Sequence, residues 1–150
     1  MRKIALVVIG LLLISGYGVP TEGRKTSRHA REYLSHHFED KWVTAKMALP
    51  NASDGLNIVD GRVDEEGLAA LIEKHGLAAK VGDELRITKV KVKDSHIEFR
   101  FDKDARINIQ FDRPVTDADL DIDQINEWLS PVIDTTATKK NSLTDKLKLN

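Results

Sequence analysis

Two groups of side chains in this 150-residue sequence have types and spacings that could do chemistry. The first is His29, Glu32 and His36, at i, i+3 and i+7, with His37 beside them. On a helix these share a face, and imidazole with carboxylate is a donor set for zinc or copper. Two helical turns separate His29 from His36, about 10 Å along the axis, which is long for two ligands of one ion. A solvated helix surface is the plainer reading, and a metal site at His29, Glu32, His36 and His37 is the alternative. The second group is Lys89, Lys91 and Lys93, at every other position. On a strand they line one face, able to grip an acidic partner or phosphate, or simply to keep an exposed strand soluble. Nucleic-acid binding would call for aromatics interleaved with the lysines, but Phe99, Phe101 and Phe111 alternate to the opposite face.

Other chemistry finds little support. The acidic run from Asp117 to Asp123 fails as an EF-hand. A loop begun at Asp117 has Ile122 and Trp128 where glycine and glutamate are required, and one begun at Asp119 has Gln124 and Ser130. Helix capping explains the run instead. There is no cysteine, which removes thiolate metal sites, disulfides and a cysteine nucleophile. No Gly-x-Ser-x-Gly elbow or phosphate-binding loop is present. His75 reads as a packing or helix-end residue. The expectation is a protein that is not an enzyme and carries no cofactor.

The elements that must position these groups follow from periodicity. Residues 28–39 read as a short helix with Tyr33, Leu34 and Phe38 on its apolar side. Residues 41–49 read as a strand with Val43, Ala45, Met47 and Leu49 on one face. A turn-rich stretch from Pro50 leads to a strand over 56–59, and Asp60-Gly61 marks a turn. Asp64 caps a helix running to His75, with Leu68, Leu71, Ile72 and His75 as one buried stripe. Gly76 ends it, and Leu77 packs back onto its last turn.

The strongest β signal spans 84–112. Leu85 and Ile87 lie at odd positions and Val90 and Val92 at even ones, so the apolar face changes phase near Thr88-Lys89, which requires a bulge. Ile97, Phe99 and Phe101, then Ile107, Ile109 and Phe111, continue the alternation across turns at Asp94-Ser95 and Lys103-Asp104. That describes a three-stranded antiparallel meander. One helical turn at Thr116–Leu120 precedes a helix capped by Asp121, with Gln124 reaching back in a capping box and Pro131 ending it.

The termini differ from this core. Arg2 and Lys3 precede an apolar run from Ile4 to Ile14 and the small residues Ser15-Gly16-Tyr17-Gly18, the pattern of a secretory signal peptide over residues 1–18. An uncleaved membrane anchor over 4–19 is the alternative, although the apolar run is short of the roughly 20 residues of a spanning helix. Residues 19–28 read as a linker, 29–134 as a single β-rich domain and 135–150 as a flexible basic tail. The whole chain has 23 basic and 24 acidic side chains. Cleavage would remove Arg2, Lys3 and no acid, leaving a net of −3, which argues against nonspecific nucleic-acid binding.

Trp42 to Pro50, Asp54-Gly55-Leu56-Asn57-Ile58, Lys74 to Ala78 and above all Val81 to Phe99, which contains Thr88-Lys89-Val90-Lys91-Val92-Lys93, carry a resemblance. It extends to Pro114–Asp134. Over roughly residues 38–134 the chain resembles an uncharacterised family of exported bacterial proteins, common in acidobacteria-like genomes, with the pattern "GD-V-VTKVKVK-HIEF". Where that family often has a glycine-rich insertion after the position of Phe101, this chain has Asp102-Lys103-Asp104. The resemblance implies a cell-envelope location and one module, and no reaction.

Together these readings predict a mainly β (α+β) fold: a small bent antiparallel sheet or SH3-like barrel of about five strands, with two or three short helices. An OB-like barrel is the alternative. Barrels of that size fill with side chains and leave little room for a ligand. The expected role is a non-catalytic binding or assembly module, periplasmic or extracellular. Its partner would be another envelope protein, met through Lys89, Lys91 and Lys93 or an exposed strand edge, with no nucleic acid or small-molecule substrate. The alternative is a periplasmic metal- or small-ligand-binding protein.

Overall fold

The computed structural model describes residues 26–136. The expected signal segment and nearly all of the basic tail lie outside the described residues. The elements run α1 (Arg28–Phe38), β1 (Trp42–Ala45), β2 (Leu49–Pro50), β3 (Leu56–Val59), β4 (Arg62–Val63), α2 (Glu65–His75), β5 (Leu77–Ala79), β6 (Glu84–Val92), β7 (His96–Phe101), β8 (Arg106–Gln110), a 3-10 turn (Asp117–Leu120), α3 (Ile122–Leu129) and β9 (Ile133–Asp134). The protein is mainly β with short helices: a curled, half-barrel sheet of seven strands and a small two-stranded sheet.

The large sheet has the order β4-β3-β8-β7-β6-β1-β9. Its centre is the expected meander, β6-β7-β8, antiparallel throughout. The phase change is resolved as predicted: the β6–β7 register shifts between Ile87 and Lys89, so Leu85, Ile87 and Val90 all reach the core. Thr88 Oγ1 donates to the Arg100 carbonyl at 3.2 Å across the irregularity. The sheet is mixed rather than wholly antiparallel, because β3 lies parallel to β8, with Leu56 beside Ile107 and Ile58 beside Ile109. With β4 and β9 at its two ends, it stays open.

Several local expectations change. The strand expected over 41–49 is two strands. β1 leaves the large sheet after Ala45, and Leu49–Pro50 pairs with β5, Leu49 opposite Ala79. Leu77 therefore belongs to a strand and is exposed, not folded back on α2. In α2, Leu68 is buried and Ile72 partly so, whereas His75 is exposed at the helix end. In α1, Leu34 and Phe38 carry the core contact and Tyr33 faces solvent. Asp121 caps α3 through the Gln124 N–H at 2.9 Å, but the Gln124 side chain turns to Glu127 instead of reaching back to the cap.

The core lies inside the curl. Phe99 on the central strand meets Phe38 of α1 edge-on at 5.4 Å, and Ile125, Leu129 and Val132 close it from the C-terminal side. Ser27 ties the two ends together: its N–H donates to Asp117 at 2.6 Å.

Candidate functional site: the outer face of the sheet

Register fixes which charges meet on the side of the sheet away from the core, because directly opposed residues project to the same face. Lys89 lies opposite Arg100, and Arg100 opposite Arg106. One step along, Lys91 lies opposite Glu98, Glu98 opposite Asn108, and Asn108 beside Asn57. At the hairpin end, the Lys93 N–H donates to the His96 carbonyl, and His96 lies opposite Gln110. These three rows bring five cations to one surface with a single carboxylate. Lys89 and Lys93 are exposed, and Lys91, Arg100 and Arg106 are half-buried.

Glu98 holds the patch together. It is only 8% exposed, its Oε1 accepts from Arg100 Nε at 2.5 Å, and Arg106 is 3.9 Å from its other oxygen. Burial opposes its ionisation, but the Arg100 hydrogen bond and the surrounding cations outweigh burial and hold its pKa below the usual carboxylate range. Lys91 records the crowding from the other sign: Arg100 first, then loss of solvent, then Lys93 and Lys89, push its pKa down. Arg106 is also moored to the Ser53 carbonyl at 3.0 Å, and Asn108 Nδ2 donates to the Asp54 carbonyl and to Asn57 Oδ1.

The three lysines expected to form a partner surface are thus on one face, and Arg100 and Arg106 join them. Alternation already put both arginines on the polar side of their strands. What was missing was the pairing register, which the two-residue turn Asp94-Ser95 and a bulge of known position would have supplied.

The histidine set does not assemble. His29 and His36 are exposed, Glu32 is engaged by Arg28 at 2.6 Å, and His37 Nε2 lies 3.1 Å from Lys41 Nζ. Burial and then Lys41 lower the His37 pKa, against a smaller opposing effect of Asp123. Among the described residues no three histidine, aspartate or glutamate side chains are placed to hold a metal. The residues of the metal alternative sit on a helix surface with other partners. A cleft of about 620 Å³ does open along that flank of α1, lined by Arg28, Arg31, Glu32, Ser35, His36 and Glu39 among others.

A second polar cluster closes one end of the sheet. Arg113 makes twin 2.7 Å bonds to Asp119 and lies over Phe111 at 5.6 Å, which in turn meets Trp128 edge-on at 5.5 Å. Asp119 also accepts from the Thr116 N–H and hydroxyl. The Arg113 hydrogen bond is the main cause of its lowered pKa, opposed by burial and aided by Thr116. With these partners the pair reads as a structural clamp. No family model, curated protein or solved structure matches this chain.

Proposed function

We propose that this chain is a non-catalytic, exported cell-envelope module that docks an acidic segment of another envelope protein on the outer face of its sheet. The observation that carries the reading is the alignment of Lys89, Arg100 and Arg106 in one cross-strand row, flanked by Lys91 and Lys93, with Glu98 the one carboxylate within these rows. Like charges directly opposed across strands cost stability. A surface that concentrates them has a matching potential to offer an anionic partner and speeds its encounter. The likeness of residues 38–134 to exported proteins and the basic-apolar N-terminus support the envelope placement. Among the described residues no helix is long and apolar enough to cross a membrane.

The test is fluorescence anisotropy with a labelled peptide of alternating glutamate and valine, measured across salt. Affinity should fall as salt rises. Reversing Lys89, Lys91 and Lys93 to glutamate should weaken binding by at least about tenfold at low salt. Binding that ignores both salt and reversal would contradict the proposal, as would binding to anionic lipid vesicles with none to the peptide.

A further inference from the structure

β6 is longer than the strand beside it. β1 pairs with β6 through Trp42–Arg86, Val43–Leu85 and Thr44–Glu84. Main-chain bonding then continues only to Ile87, whose N–H donates to the Lys41 carbonyl at 2.9 Å and whose carbonyl accepts from the Asp40 N–H at 2.8 Å. The preceding residue of the chain in that direction, Glu39, follows the end of α1. Phe38 meets Phe99 on the inner face, and α1 lies beside β6. Among the described residues, β6 has no neighbouring strand on this side from Val90 to Val92.

The backbone groups on that edge can be assigned. Bonding direction alternates along an antiparallel strand. The Lys93 N–H donates to His96 within the hairpin, so Lys89 and Lys91 also bond towards β7, and Val90 and Val92 bond away from it. The Val90 N–H is held by a side chain, Glu39 Oε1, at 3.0 Å. The Val92 N–H has no partner among the described residues. A carboxylate standing on one edge donor, with the next donor unmet, matches what an absent strand would leave.

We propose that the Val90–Val92 half-edge receives the acidic segment by strand addition, its carbonyls taking the Val90 and Val92 N–H groups while Glu39 moves aside. This rests on the reading of the basic face given above and adds how the partner is held. Side chains of an added strand alternate as those of β6 do. Its outward positions lie beside Lys89, Lys91 and Lys93, where acids are matched. Its inward positions continue the side of Val90 and Val92, where apolar residues fit. The partner segment is therefore an extended stretch of alternating acidic and apolar residues. The chain's own C-terminal segment has the wrong charge, with Lys139, Lys140, Lys146 and Lys148 against Asp145.

The test uses the full chain and three peptides of identical charge: the glutamate–valine peptide, the same peptide N-methylated on every glutamate, and the same peptide N-methylated on every valine. Alternate residues of an added strand point their N–H groups to opposite edges. One methylated peptide should therefore bind about tenfold more weakly than the parent and the other should match it. The Val92 amide should gain hydrogen-exchange protection with the parent. Equal binding of all three with no change at Val92 would overturn strand addition and leave charge docking standing. Failure of all three to bind would overturn both.

Discussion

Asp119 shows how much one side chain can organise. It is 7% exposed, and four hydrogen bonds from Arg113 and Thr116 converge on its carboxylate. Asp119→Ala should cost about 2 kcal/mol, through loss of the capping acceptor and of charge-assisted bonds, read as a shift in the denaturation midpoint. Its pKa is depressed in the folded chain. The stability it contributes is therefore present above the unfolded carboxylate pKa of about 4 and is lost as pH falls through the lower folded value. Urea melts of the wild type and Asp119→Asn should differ at pH 7 and converge towards pH 2. A gap that is constant with pH would remove the carboxylate from the account. Glu98→Gln should act oppositely on stability and binding: it takes away the charge that offsets Arg100 and Arg106, lowering the melting temperature while strengthening capture of the acidic peptide.

At the scale of elements, the two positions that matter most are an irregular residue and a glycine. Thr88 lets β6 keep an apolar side inward across a change of phase. Deleting Thr88 would bring Leu85, Ile87, Val90 and Val92 into one simple alternation and remove the need for the irregularity. The expected result is a cooperative thermal transition retained by circular dichroism, and its loss would contradict the role given to Thr88. Gly55 has φ +73° at the entry to β3, and a Cβ there would sit 2.7 Å from the Arg106 Cβ and 2.8 Å from the Arg106 carbonyl oxygen. Gly82 has φ +88° with nothing near it. Gly82→Ala should cost about 1 kcal/mol, from backbone strain alone. Gly55→Ala should cost about 3 kcal/mol, because β3 must also shift off β8. Chemical denaturation of the pair separates strain from clash.

Elements whose causes are local were legible in the chain. The β6–β7–β8 meander, its bulge and the Asp and Gly signals at the ends of α2 and α3 were all visible there. The parallel seating of β3 on β8, the split of 41–49 into β1 and β2 and the pairing of β2 with β5 were not. Each depends on contacts between segments far apart in sequence, and two- or three-residue strands carry too little alternation to announce themselves. The candidate site divides the same way. Lys89, Lys91 and Lys93 share a strand and could be grouped by spacing, whereas Arg100 and Arg106 join them only through cross-strand register. His29, Glu32, His36 and His37 were grouped by spacing too, but spacing is silent on the partners, Arg28 and Lys41, that occupy two of them.

For the whole molecule, the curl of the sheet separates two tasks. Its concave side is filled by side chains from all three helices, and its convex side carries the cations, with Glu98 and Asn108 buried among them. The chain has no cysteine, so a single introduced thiol reports one place without background. The most direct measurement places an environment-sensitive dye at Lys91→Cys on the outer face, or at Glu73→Cys on exposed α2, and titrates each with the glutamate–valine peptide. Saturable response at position 91, abolished by high salt, with none at 73, is the predicted result. Equal responses at both positions, or a response at 73 alone, would contradict a docking surface on the sheet.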